Sequence, residues 1–484
     1  MTTTFLHGVE VVDIDDGSRP ISVVSTSIIG IVGTAPNADP AAFPLDTPVL
    51  VAGSQALAAK LDTTVTNLTM GAGTLPDAMD SILKQAGAVV IVVRVAQANN
   101  SDSDPGTLAN VLGGVDPTTG QYKGMQAFLA AGSVLGFSPR ILIAPGFTHE
   151  RVTGGVIDVG FTAGAGYTDG TYDLVVTGGT GGTGAAAQAT ITGGKVTGTA
   201  IINSGGGYTA APNFALPASA GTPTTAATFT GTIGTAGNAA VADLIPIAQR
   251  LRAVIIQDGA NTNDADVIAQ AGDFGSQRVY LVDPKFLKTN GAGNLIQSYS
   301  SAAVAGLIAW NDNTNGWWWS PSNQLLNGVQ GTARAIDFQM GDPNSRANLL
   351  NAKNVATIIR QNGYRLWGNR TLSSDPKWQF LCVVRTADII NDSLLAAHLW
   401  AVDRGITKNY VTEVIEGVNA FLRSMVTQGA ILGGTCWADP DLNTAAAISN
   451  GQVFFDFDFT PTYPAEHVQF RSHLVNDYIQ TIFS

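Results

Sequence analysis

Few residues in this chain could do chemistry, and those few are scattered. Gly71-Ala72-Gly73, just ahead of Pro76, loosely resembles the turn that cradles a dinucleotide. That turn needs a strand before it and a third glycine that lets helix and sheet approach. Here the polar run TTVTNLTM precedes it and the third glycine is missing, so a plain helix-start loop is expected. The sequence holds no Walker loop, nucleophile elbow or paired zinc ligands. His7, His149, His398, His467 and His473 are dispersed. The last two share one face of an extended segment but lie too far apart to hold one metal unaided. Asp456 and Asp458 also share a face and could bind a cation or share a proton. Charges on an edge strand that deter promiscuous pairing are the simpler reading. Trp317-Trp318-Trp319 suggests a stacking platform for a sugar or base. Three consecutive tryptophans cannot all face one way on a strand, so at least one belongs to a core. Cys382 and Cys436 have no metal-ligand spacing and fit buried thiols of a reduced compartment. Arg404, Lys408 and Arg423 flank a helix, either as a wet face or as a docking face for an acidic partner.

The elements that must carry these residues begin at the end of the chain. From Val453 to Phe459 the residues alternate, with Val453, Phe455, Phe457 and Phe459 on one side of a strand and Phe454, Asp456 and Asp458 on the other. Pro461 and Pro464 end the pairing. A second alternating run puts Val468, Phe470 and Leu474 in phase, with Arg471 and His473 out of phase. Such apolar strands must dock, either in the chain's own sheet or as an arm in a neighbouring copy.

With 484 residues, the chain can hold roughly two to four domains. Charged residues are 13%, half the usual share, as suits a surface hidden in an assembly. A net charge of −12 with no basic run disfavours nucleic-acid binding. The N-terminus lacks the basic start and apolar run of a signal peptide, and the apolar run 88–93 is too short to span a bilayer, so a soluble cytoplasmic product is expected.

In order, strands are expected at Val9–Ile14 and Ser27–Val32, separated by the turn residues Asp15, Asp16, Gly17 and Pro20. From 49 to 145 strands and helices alternate: strands at 49–52, 88–95 and 140–145, helices after Ser54, from Pro76 and over 125–135. Residues 151–238 turn Gly/Thr-rich and repeat GAGYT (164–168) as GGGYT (205–209), which predicts short stacked strands in a small all-β surface domain. The α/β pattern then resumes, with helices at 241–252 (Pro246 delaying or kinking it), 264–272 and 294–310, and strands at 253–257 and 278–284. A loop-rich stretch covers 311–340. Beyond it come a helix from Asp342-Pro343 to Gly363, a strand at 381–385, a helix at 386–403, and an amphipathic helix on Val411, Val414, Val418, Phe421 and Met425 that Gly429 ends. The fold class expected is α/β and α+β multidomain, divided as 1–33 (arm and first strands), 34–150 plus 239–312 (α/β body), 151–238 (inserted all-β domain) and 313–484 (C-terminal α+β domain).

Three stretches resemble the sheath proteins of contractile phage tails and R-type pyocins: FLHGVEVVDIDDGSRPISVVSTSIIGIVGTAP at the start, WSPSNQLLNGVQG with NGYRLWGNRTLSSDPKWQFLCVVRTADII in the centre, and DPDLNTAAAISNGQVFFDFDFTPTYPAEHVQFRSHL at the end. Residues 151–238 lie outside the resemblance. It implies a non-enzymatic, cofactor-free subunit stacking in hexameric rings around an inner tail tube, with baseplate and tail terminator proteins as further partners. No direct nucleic-acid contact and no membrane insertion are implied. It places the protein in a virion tail assembled in the bacterial cytoplasm. It also implies that terminal strands complete the C-terminal sheet of neighbours, here Val9, Val11, Val12 and Ile14 with Val453, Phe455, Phe457 and Phe459. Arg404, Lys408 and Arg423 become candidates to face the tube. A Rossmann-like nucleotide-binding enzyme and a glycan-binding surface protein are the competing readings.

Overall fold

The computed structural model describes residues 21, 23–476, 478, 479 and 482; the expected strand at Val9–Ile14 lies outside them. The chain is a mixed α/β protein built on several sheets. The largest has eight strands: β1 (Ile29–Thr34), β2 (Pro48–Ala52), β3 (Val89–Val95), β4 (Ile141–Ile143), β5 (Val254–Asp258), β6 (Val279–Val282), β7 (Val355–Arg360) and β8 (Tyr364–Trp367). Their spatial order is β2-β3-β1-β4-β5-β6-β7-β8. The six inner strands run parallel, and β2 and β8 are antiparallel edges. Strands buried on both faces read as near-continuous apolar runs, as β3 (VVIVVRV) does apart from Arg94.

Successive side chains serve two cores. Ile29, Ile31, Val90 and Val92 meet α1 (Leu75–Leu83) and α3 (Ser300–Thr314) on one side. Val32, Val93, Val95 and Ile255 meet α2 (Ala239–Leu251) on the other. Asn238 caps α2 by accepting from the Val241 N–H, and Pro246 is accommodated inside the helix. Between β4 and α2 lie only strands and one short 3-10 turn. These form three- and four-stranded sheets within residues 152–236 around their own cluster of Val156, Val159, Ile191, Val196, Phe214 and Phe229.

Several elements differ from expectation, each for a local reason. The apolar run Leu381–Val384, expected as a strand with Arg385, instead opens α4 (Leu381–Ala397), because a helix buried on most sides carries the same continuous apolar pattern. The helix expected over 294–310 begins only at Ser300; Leu295–Ser298 pairs with Phe286–Thr289 through the turn at Asn290–Gly293. The helix expected from Pro343 to Gly363 is one short helix, Arg346–Asn351, followed by the β7–β8 hairpin. Gly363 makes that turn with φ +106°, a conformation side chains rarely allow. Residues 124–130 are a 3-10 turn with only Ala131–Leu135 α-helical. The second alternating run, 468–474, forms no strand.

Candidate inter-subunit interface

The C-terminal unit is organised by α5 (Lys408–Gln428). Thr407 caps it by accepting from the Tyr410 N–H, and Gly429 ends it at φ +81°. Its stripe Val414, Val418, Phe421, Leu422 and Met425 is buried. Against it lies a two-stranded antiparallel sheet, β9 (Ile431–Ala438) and β10 (Phe455–Pro461). Cys436, Phe455, Phe457 and Phe459 face α5, and the Phe457 and Phe459 rings stack at 6.1 Å. Trp317 inserts into the same cluster edge-on to Trp318, whereas Trp319 is exposed, so the tryptophans divide between core and surface.

β10 is therefore bonded along its length to its own chain. Val453 falls before the strand, half-buried in a hollow shared with Ile406, Val411, Ile448 and Phe455. Asp456 and Asp458 do not act as a pair. Asp458 accepts from the Thr435 N–H at 2.8 Å, while partial desolvation and its neighbour Asp439 push the Asp456 carboxyl up.

The sheet's two edges differ. The Cys436 N–H donates to Asn419 Oδ1 (2.8 Å) and the Cys436 carbonyl accepts from Asn419 Nδ2 (3.1 Å). An amide from α5 thus fills the outer edge of β9 at its centre. Cys436 lies opposite Phe457, so this is the wide pair of the antiparallel ladder, in which both residues point their backbone groups outward. By the same alternation Phe455, Phe457 and Phe459 turn their N–H and C=O groups to the free side of β10, a row of backbone groups able to pair with another strand.

The first described residues pack against this unit, and the chain beyond β10 continues from it. Ile21 packs on its core, the Val24 N–H donates to Ser393 Oγ, and the Thr26 carbonyl accepts from Arg385. Val9, Val11, Val12 and Ile14 precede the described residues. At the other end Val468, Phe470 and Leu474 are 63%, 92% and 100% exposed. Arg404 stacks over the Trp400 ring at 5.0 Å, and Lys408 and Arg423 are exposed on α5. That exposed face also carries Glu413 and Glu416, the latter 4.0 Å from Arg423, so its charge is mixed.

The crevice of the main sheet is filled. In this doubly wound order ligands sit beyond the carboxyl ends of strands where the winding reverses, here between β1 and β4. Thr34 Oγ1 donates to Asp102 there, and a Cβ on Gly146 would lie 3.0 Å from Thr74. Tyr299 lies 5.2 Å from the His149 ring and carries Lys285 on its face at 4.1 Å. Gly73 serves packing, since a Cβ would sit 2.5 Å from the Thr34 carbonyl. Asp258 accepts from the Ser301 N–H and Oγ and so caps α3; burial pushes its carboxyl up to about 6. Burial likewise raises Cys382 to about 12 and Cys436 to about 11, far from a reactive thiolate. Among the described residues no cluster of three or more His, Cys, Asp or Glu side chains could hold a metal, and no helix is long and apolar enough to cross a membrane.

Sequence reasoning missed Asn419 and the ion pairs of α4. There Arg385 pairs with Asp312, Asp388 with Arg278, and Asp392 with Arg140 and Arg252. The spacing 385, 388, 392 puts all three on one face of a helix, which a helical reading of the segment would have exposed.

A filled crevice beside an open strand edge and an exposed tail is the equipment of an assembly subunit. Family models agree: the phage tail sheath C-terminal domain matches residues 373–474, the phage tail sheath central domain 214–372, and the N-terminal region of tail sheath domain III 26–95. The chain belongs to the phage tail sheath protein family. It is 34% identical over 482 residues to a prophage major tail sheath protein of Pseudomonas aeruginosa (strain UCBPP-PA14), covering 99% of each chain. It is 30% identical to the tail sheath protein of Escherichia phage P2, covering 98% of this chain and 97% of that one. Its fold matches the sheath of an extracellular contractile injection system solved in the contracted state, at TM-score 0.59 and 13% identity over 99% of both chains. The central-domain match begins at residue 214, inside the segment expected to lie outside the shared part.

Proposed function

We propose that this chain is the structural subunit of a contractile tail sheath. It polymerises around an inner tube and contracts from a metastable extended state, driving the tube through a host envelope. The open β10 edge, next to a run at 468–474 that forms no strand and leaves Val468, Phe470 and Leu474 exposed, carries the reading. A strand from a second copy would satisfy the outward groups of Phe455, Phe457 and Phe459 and remove exposed apolar area from water. In this arrangement Val9, Val11, Val12 and Ile14 from one neighbour and the tail of another complete the C-terminal sheet. Contraction then repacks interfaces and needs no nucleotide.

The subunit works without enzymatic activity. Its partners are its own copies in stacked hexameric rings, the tube protein, and the baseplate and tail terminator proteins. It resides in the virion tail after assembly in the bacterial cytoplasm. Residues 34–150 with 239–312 form the body, 151–238 an outward all-β domain, 313–484 the C-terminal domain, and 1–33 the N-terminal arm. The exposed side of α5, with Arg404, Lys408 and Arg423, is the face we assign to the tube.

Electron microscopy of the purified protein tests this. Full-length chain should form rings or rods, while deletion of residues 1–16, or truncation after Glu466, should leave folded monomers by circular dichroism and light scattering. Normal tubes from either shortened chain would refute the arms. Tube capture that survives charge reversal at Arg404 and Lys408 would remove the tube face alone.

A further inference from the structure

Residues 467–474 are exposed, but the segment is held at its root. The Thr462 N–H and Oγ donate to the Ala430 and Gly429 carbonyls. Tyr463 meets Phe380 edge-on at 6.3 Å, and Pro464 then fixes the backbone. Glu466 receives both arms of the Arg370 guanidinium, Nε at 2.8 Å and Nη2 at 2.5 Å. Arg370 is itself held. It bridges to Phe380 through the backbone, its guanidinium lies 5.9 Å from the Phe380 ring centroid, and the neighbouring Leu372 N–H donates to Val279 at the start of β6. The main sheet thus reaches, through a rigid loop, the last fixed residue before the exposed segment.

We propose that Arg370 and Glu466 form a clamp that aims the tail, making both positioning residues for strand exchange; this rests on reading the tail as an inter-subunit arm. The pair is one-third exposed, at 33% and 35%, so it adds little to the stability of the fold. What a two-point fork supplies is direction. An unclamped flexible run of eight residues spreads its end over about 16 Å. Fixing its root orients the first residues of the arm before a neighbour arrives, which lowers the entropy that docking must overcome.

The test uses full-length Glu466→Gln, Arg370→Gln and the exchanged pair Arg370→Glu/Glu466→Arg. Each is made with and without a spin label on Val468→Cys, since Cys382 and Cys436 are buried and unreactive. The single variants should melt like the parent, show faster label motion in the monomer, and need about tenfold more protein to polymerise. The exchanged pair should recover both readouts. Parent-like assembly and label motion in the single variants, alongside a truncation after Glu466 that cannot polymerise, would overturn the clamp and leave the arm standing. A truncated chain that polymerises normally would overturn both.

Discussion

The α/β body and the C-terminal unit solve opposite problems with the same materials. In the body both faces of the sheet are covered, edge strands are antiparallel and short, and the ligand crevice is packed with Thr74, Tyr299 and His149. Its polar groups are consumed internally: Lys288, 1% exposed, is held by Asp77, Asp80 and Ser81. In the C-terminal unit the phenylalanines of β10 are only half-buried, one backbone edge is open, and the segment after it exposes Phe470 and Leu474 almost completely. The body thus keeps its buried charges paired internally, whereas the C-terminal unit presents apolar surface and an unpaired strand edge together. The helix α4 joins the two regions, and its fate tests whether the contrast is one of separate bodies or of one rigid unit.

The largest effect should come from breaking that joint. Arg385 is buried and forks onto Asp312 at 2.6 and 2.5 Å while also donating to the Thr26 carbonyl. Arg385→Ala strands Asp312, whose side chain is 1% exposed, without a counter-charge. Removing one partner of such a pair costs about 3–5 kcal/mol. Urea unfolding followed by tryptophan fluorescence should show the loss, with Trp317, Trp318 and Trp400 reporting the C-terminal unit. A loss below about 1 kcal/mol would mean the two regions do not depend on this contact.

A smaller effect belongs to the body alone. Asp258 is buried and its carboxyl is raised from 3.8 to about 6 by that burial. The folded value lies above the unfolded one, so between about pH 4 and 6 the folded chain keeps a proton that the unfolded chain releases. Its contribution is therefore complete below pH 4 and is lost as pH rises through 6, by at most about 3 kcal/mol. Asp258→Asn should flatten this part of the stability–pH curve relative to the parent. The C-terminal unit, followed by hydrogen exchange in α5, should not register the change. Identical curves for parent and variant would show that Asp258 stays ionised in its cap.

How much of this was legible depended on whether local pattern and tertiary role agreed. β3, with its seven apolar-rich positions, and α5, with its stripe and glycine stop, could be read directly because burial and periodicity coincide there. The family could be read too, from phrases such as PAEH. α4 could be read from Thr386 onward, but its first turn, the apolar Leu381–Val384, reads as a strand because a buried helix start carries the same continuous apolar pattern. Gly363 looked like a helix stop, yet Gly closes hairpins equally well, and only the pairing of β7 with β8 decides. The run 468–474 alternates as a strand does but forms no strand in the single chain, because alternation alone supplies no neighbouring strand to pair with.

Asn419 offers the finest probe of the contrast, because it makes one edge of the C-terminal sheet behave like the body. Its amide imitates a strand at Cys436, so β9 is closed there while β10 is open. Asn419→Ala would leave the N–H and carbonyl of Cys436, a residue 4% exposed, without their partner, a cost of about 1–3 kcal/mol. The change in fold stability should be modest. Assembly should change more, because two edges would then accept strands where one did, and an edge that pairs in either direction invites branched or disordered association. Light scattering of the monomer pool and electron microscopy of its products would separate the outcomes. Irregular aggregates replacing tubes mark Asn419 as the guard of β9, whereas parent-like tubes at parent-like protein concentration would show that the outer edge of β9 was never a competitor.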